Sequence, residues 1–387
     1  MLKRSNTDIK SKTDDIGTMP KILILSCKTG EGHDSAAKAI QASLRKKETP
    51  CEIIDVLTFQ SEKASGRAAR LYANAIKKTP VLFGFVYTLG KWYDDLRFPS
   101  PFYKIHSAYA NKLYRYICEN KFDCVICTHL FAMLAMTAVR RKYEPSIKCY
   151  GVLTDYTIHP FMKDSDLDGY FVPNETVALQ FAKKGFRGDK IFVTGIPVHE
   201  KFNESVPKPT AREILDLPLR KKTVVIMTGG TGCGKIIKLC RKLNEDYDEN
   251  YLFIVLTGRN EKVQTKIGKI FGASEKFKTV LFTDDVHLYL KAADAILSKA
   301  GGLSSTEIAV SNVPLIHLKA VLGLETENLK YFSRNGLSLR ADTVKRAVKH
   351  VGRILTDGVR AETMLKKQAL LIRKTATEDI VKIIMEA

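Results

Sequence analysis

Residues 21–40 read KILILSCKTGEGHDSAAKAI. A short apolar run ends in a turn carrying Gly30 and Gly32, and an alanine-rich amphipathic pattern follows at once. Strand, glycine turn and helix in that order form the opening unit of a parallel α/β sheet. The helix start aims unpaired N–H groups past the strand end, and small residues let a ligand approach the main chain there. His33 stands at this helix start, and an imidazole titrates near neutrality, as a proton acceptor must. A water-exposed histidine of no chemical consequence is the plainer reading. As a dinucleotide fingerprint the match is weak: Ser35 stands where a third glycine belongs, and Asp55 gives no convincing ribose partner.

Outward from this unit, short apolar runs alternate with helical patterns. In the first half they are KILILSC, CEIIDVL, DCVICTH, KCYGVLT, GYFVP and IFVTGIP; in the second, VVIMTGG, LFIVLTG, KTVLFT, AILSK, VPLIHL and LSLRA. The alternation predicts α/β architecture, two Rossmann-like domains facing across a cleft. The boundaries expected are a disordered lead-in over 1–19, with Met19 an alternative start, a first domain over 20–200, a proline-rich linker over 201–221 and a second domain over 222–387. The last thirty residues read as helical and are candidates to cross back to the first domain. At 387 residues the chain has length for two domains.

No eighteen-residue apolar run suggests a membrane span, and the polar N-terminus lacks the apolar middle of a secretory signal. A reducing compartment is then expected, with the eight cysteines as free thiols. Cys124 and Cys127, three apart on a strand, point to opposite faces and read as core thiols rather than a zinc pair. The net charge of +20 points to an anionic partner: nucleic acid, an acidic lipid surface or a phosphorylated ligand. It is shared evenly between the halves, so any asymmetry is local. Residues 63–121 carry eleven Lys/Arg against three Asp/Glu, with twelve aromatics and the only tryptophan, Trp92, beside Tyr93. Such interleaving suits a membrane interface, or stacking on single-stranded nucleic acid. A helical insertion with buried aromatics is the bland alternative.

Two further glycine loops lie in the second half. VVIMTGGTGCGKII nearly spells a P-loop, but Ile236 stands where a magnesium-binding hydroxyl belongs. Gly229 to Gly232 still suit a diphosphate without a metal. In AILSKAGGLSSTEIAV, Lys299 precedes Gly301 and Gly302, and a helix opens with Ser304, Ser305 and Thr306, a phosphate-binding pattern. Glu307 in the first turn suits sugar hydroxyls, or complements the helix dipole. Two diphosphate loops opposite a histidine turn are the layout of a transferase that takes a sugar from a nucleotide.

The chain resembles the monogalactosyldiacylglycerol synthase and bacterial diacylglycerol glucosyltransferase family from about Pro20 to about Asp342. The resemblance rests on ILSCKTGEGHDSAAKAI, CTHLFAM, GVLTDYTIHPFM, GYFVPNETVALQFAKKG, VTGIPV, the VVIMTGG loop, FTDDVHLYLKAADAILSKAGGLSSTEIAV and GLETENLKYF, in that order. It implies the GT-B fold and inverting transfer of a hexose from a UDP-sugar, UDP-glucose favoured, to the 3-hydroxyl of diacylglycerol. It implies no cofactor, no metal and no nucleic acid. An anionic membrane surface is the implied partner, met peripherally on the cytoplasmic face. It makes His33 the base, with Asp155 orienting it or replacing it. Gly30, Gly32, His129 and His159 would line the acceptor side, and Trp92 and Tyr93 would meet the membrane. Gly230 and Thr231 would face the diphosphate, Phe282 the uracil, Lys299, Gly301, Gly302 and Ser304 the phosphates, Glu307 the ribose, and Glu325 and Asn328 the sugar ring. Two positions depart from the family: Glu31 replaces a glycine of the first loop, and Leu324 replaces a polar sugar contact. Another lipid-like alcohol as acceptor, or a basic binding module with a decayed site, are the alternatives these departures keep open.

Overall fold

Each of the twelve apolar runs is a strand. The computed structural model describes residues 19–28, 30–61, 99–227, 236–320 and 323–386. Strands β1 (Ile22–Ser26), β2 (Cys51–Asp55), β3 (Cys124–Cys127), β4 (Lys148–Val152), β5 (Gly169–Val172) and β6 (Ile191–Val193) form one sheet. Strands β7 (Lys222–Met227), β8 (Tyr251–Gly258), β9 (Phe277–Leu281), β10 (Ala295–Ser298), β11 (Leu315–Leu318) and β12 (Leu339–Ala341) form the other. The orders are β2-β1-β3-β4-β5-β6 and β12-β11-β10-β7-β8-β9. Every pairing is parallel. The second is the dinucleotide-binding order, with its reversal between β7 and β10.

Parallel strands are buried on both faces, which is why these runs read as continuous apolar stretches. Leu23, Leu25, Val125 and Cys127 face the helix Leu130–Tyr143, whereas Ile22, Ile24, Cys124 and Ile126 face the helix Glu31–Lys46. Cys124 and Cys127 thus sit in separate cores, both as free thiols. The C-terminal helix Ala376–Glu386 lies on the first domain, where Ile380, Val381 and Ile384 join Ile40 and Leu44.

The proline-rich connection is packed rather than loose. Ala211 and Leu217 are buried in the second domain's core. Buried Arg212 donates to Asp294 Oδ2 at 2.8 Å and to the Ala292 carbonyl at 3.0 Å. Only the end of the basic aromatic segment is described, as the helices Pro101–Ser107 and Ala110–Glu119. Its five described aromatics, Phe102, Tyr103, Tyr109, Tyr114 and Tyr116, pack on the first domain's core, as the bland reading expects. Trp92, Tyr93, Gly230 and Thr231 lie outside the described residues.

Candidate functional site

In each sheet the carboxyl ends of the strands open on the same cleft, where ligands bind in open α/β sheets. His33 follows β1, Thr128 and His129 follow β3, and Thr154 and Asp155 follow β4. Across from them, Arg259 follows β8, Phe282 follows β9, and Lys299 to Gly302 follow β10. Two helix starts meet here: a Cβ on Gly32 would lie 3.5 Å from Leu303 Cβ. The helices Glu31–Lys46 and Gly302–Val310 touch, and both present free N–H groups at the cleft. Neither has a side-chain cap.

His33 is held by main chain and hydroxyl. Its Nδ1 lies 2.9 Å from the Thr128 carbonyl and 3.0 Å from Thr154 Oγ1. A carbonyl only accepts, so Nδ1 donates to it, and in the neutral ring the lone pair lies on Nε2. The His129 ring stands edge-on at 4.5 Å. Burial, and then the charges of His33, His159 and His106, hold the His129 imidazole well below its usual range. Burial likewise depresses His159, partly offset by its bond to the Pro160 carbonyl and by Asp155, and takes His106 to about 4. These three rings are neutral at neutral pH. Among the described residues no group of three His, Cys, Asp or Glu side chains is placed to hold a metal ion.

Asp155 does not pair with His33 in this structure. Its Oδ1 accepts from Asn328 Nδ2 at 2.7 Å. Asn328 is fully buried and faces the domain junction. Glu325 and Lys299 form an ion pair at 2.8 Å. The loop before Glu325 turns at Gly323, whose φ of +116° suits glycine.

A cavity of about 640 Å³ opens between the domains, within the size range of small-molecule sites. Phe282, Ser304 and Glu307 line it from the second domain, and Gly32, Lys38 and Arg45 from the first. Phe282 is half exposed, with the Arg259 guanidinium 4.7 Å above its ring. Arg259 also reaches Glu31 at 3.5 Å, an exposed pair worth about 0–1 kcal/mol. Burial pushes the Glu307 carboxyl up to about 8. Gly301 and Gly302 open the helix beside it, and a Cβ on Gly302 would strike the Thr154 carbonyl at 2.0 Å.

Residues 33–198 match the family model for monogalactosyldiacylglycerol (MGDG) synthase, and residues 223–380 match the glycosyltransferase family 28 C-terminal domain. Its first half thus carries a monogalactosyldiacylglycerol synthase domain and its second half a glycosyltransferase family 28 C-terminal domain. This glycosyltransferase is 25% identical over 376 residues to a processive diacylglycerol beta-glucosyltransferase of Bacillus pumilus, covering 96% of each chain. It is 27% identical over 375 residues to the Bacillus thuringiensis protein of that name, covering 95% of this chain and 94% of the other. Among solved structures, Acinetobacter baumannii MurG aligns with a TM-score of 0.63 at 14% identity, covering 95% of this chain and all of the other. That likeness shows the GT-B fold.

Sequence reasoning missed Thr128, Thr154, Tyr156 and Arg259 in this glycosyltransferase. The signal available was position: three of them stand just past the carboxyl ends of β3, β4 and β8, and Tyr156 lies two residues beyond Thr154.

Proposed function

We propose that the chain moves a hexose from UDP-glucose to the 3-hydroxyl of diacylglycerol, with inversion and without a metal ion, as a peripheral enzyme on the cytoplasmic face of an anionic membrane. The observation that carries this reading is His33. Its proton-bearing Nδ1 is fixed on the Thr128 carbonyl at 2.9 Å, which leaves Nε2 as a base where two helix starts meet. Nε2 takes the acceptor hydroxyl's proton as that oxygen attacks the anomeric carbon. The bond from that carbon to the phosphate oxygen breaks, and UDP leaves with the electron pair. N–H groups opening the helix Gly302–Val310, with Lys299 nearby, meet the charge that develops on the diphosphate. Phe282 stacks the uracil, and Glu307 meets the ribose hydroxyls across the same cavity. The names of the Bacillus relatives support the lipid acceptor and the glucosyl donor. The net charge of +20 supports the anionic surface.

The deciding experiment is UDP release with diacylglycerol in anionic vesicles, offered UDP-glucose, UDP-galactose and UDP-N-acetylglucosamine in turn, with and without EDTA. Acceptor-dependent release greatest with UDP-glucose, and indifferent to EDTA, is expected. Binding of UDP without release from any donor would sink the reading. In the same assay His33→Ala should lower turnover about 10²–10⁴-fold, the usual worth of a general base. Its affinity for UDP should stay that of the wild type.

A further inference from the structure

The junction between the domains gathers on one amide. Asn328 is fully buried, and its hydrogen-bonding groups are engaged. Nδ2 donates to Asp155 Oδ1 at 2.7 Å and to the Ala300 carbonyl at 3.1 Å. Oδ1 accepts from the Tyr156 N–H at 2.8 Å. Both N–H donors are engaged, and the carbonyl's remaining lone pair is closed off by burial, so a sugar hydroxyl reaches this group only by displacing the residues packed around it.

The contacts belong to three pieces of chain. Asn328 sits on the helix Leu324–Arg334, one turn after Glu325, which pairs with Lys299. Ala300 lies in the loop between Lys299 and the start of the helix Gly302–Val310. Asp155 and Tyr156 come from the first domain, directly after Thr154, whose hydroxyl reaches His33 Nδ1 at 3.0 Å. The Tyr156 side chain is anchored beyond them: it stacks on Tyr331 at 4.6 Å, and its hydroxyl bonds Thr306 Oγ1 at 2.8 Å. Gly302 backs the same strand end so closely that any side chain there would strike Thr154 or Asp155. Thr154 is therefore fixed in place from the donor side.

We propose that Asn328 is a positioning residue that locks the Thr154–Tyr156 strand end onto the donor domain, so that His33 is aligned as a base only while the two domains are docked. This rests on the transferase reading for its kinetic consequence and on the geometry alone for the alignment of His33. It sets Asn328 apart from the sugar contacts: a residue that touches the hexose changes donor binding, whereas one that aligns the base changes turnover.

The test is Asn328→Ala, with Asn328→Asp beside it. The aspartate keeps size and the acceptor for Tyr156 but sets a carboxylate against Asp155. With UDP-glucose and diacylglycerol vesicles, each variant should lose about 10²-fold in kcat, the scale of a small misplacement at a reacting centre. KM for UDP-glucose should stay within about twofold, since an interaction absent from donor binding leaves KM alone. A raised KM with kcat retained, or an altered preference between UDP-glucose and UDP-galactose, would overturn the proposal. Independently of turnover, ¹⁵N spectra of the His33 ring, assigned with His33→Gln, should report a single Nδ1–H tautomer in the wild type and a mixture in the variants. An unchanged His33 signal in a folded variant would also overturn it. If the wild type transfers no hexose, the transferase reading fails and the spectra still decide this one. Thermal melting with and without UDP identifies which variant is folded, and that variant is the one read.

Discussion

Glu307 combines a burial problem with a proposed binding role. Partial burial at the cavity wall raises its carboxyl from the ordinary 4.5 to about 8. The folded chain keeps a proton there that the unfolded chain releases between those values. Stability therefore falls as pH rises through that window: the cost is absent below 4.5 and complete above about 8. Glu307→Gln, which cannot ionise, should melt with the wild type near pH 4.5 and a few degrees above it past pH 8, by scanning fluorimetry. A constant offset at every pH would mean the carboxyl does not titrate in the fold. His33 shows the other side of this scale. Its place in a glycine turn was readable in the sequence, but its orienting partners were not. Thr128 and Thr154 are distant in sequence, and only sheet pairing brings β3 and β4 beside β1.

Among the elements, the helix Gly302–Val310 carries the tightest demand. It begins against the Thr154 carbonyl, where no Cβ fits. Gly302→Ala should push the helix start off the first domain, costing about 1–3 kcal/mol as an overpacked contact. Activity should fall at least about tenfold with it, because the Thr154 hydroxyl moves with its carbonyl. Gly358→Ala, at a helix start with nothing within 4 Å, is the control and should melt at or above the wild type. Equal melting of the two variants would show that the close approach is relieved at no cost. The sequence marked Gly302 as a phosphate-loop glycine; its role as a spacer between domains needs the opposite strand end.

For the whole molecule, the helix Ala376–Glu386 is the return tie between domains. It follows the second domain in sequence and buries Ile380, Val381 and Ile384 on the first. Each such side chain is worth about 1.5–3 kcal/mol. A chain ending after Lys374, which keeps Ile372 in the second domain's core, should show a first domain that melts earlier or aggregates, while the second still binds UDP. A single unchanged transition would show that the helix is dispensable. For residues 63–121 the sequence left an interfacial reading, a nucleic-acid-stacking reading and a buried-helix reading open, and the described helices at the segment's end pack as core through Leu113 and Ile117. Composition cannot separate an aromatic that meets lipid from one that meets the next helix, since both bury an apolar ring.

The sequence by itself determined the twelve strands, the two-sheet architecture and, among the described residues, the glycine-bearing helix starts after β1 and β10. Those features are local: apolar runs of strand length, glycines where the chain turns, and helix starts that follow. It also singled out His33, Glu307 and the Lys299–Gly302 loop as candidates for the chemistry. What only the tertiary structure decided is which groups complete one another across the cleft. Asp155 meets Asn328 rather than His33, Lys299 meets Glu325, and Arg259 lies over Phe282 beside Glu31. The reason is range. A strand or turn is specified by neighbours a few residues apart, whereas a buried amide's partners, 28 and 173 residues away in Asn328's case, are set by how two separately folded sheets dock.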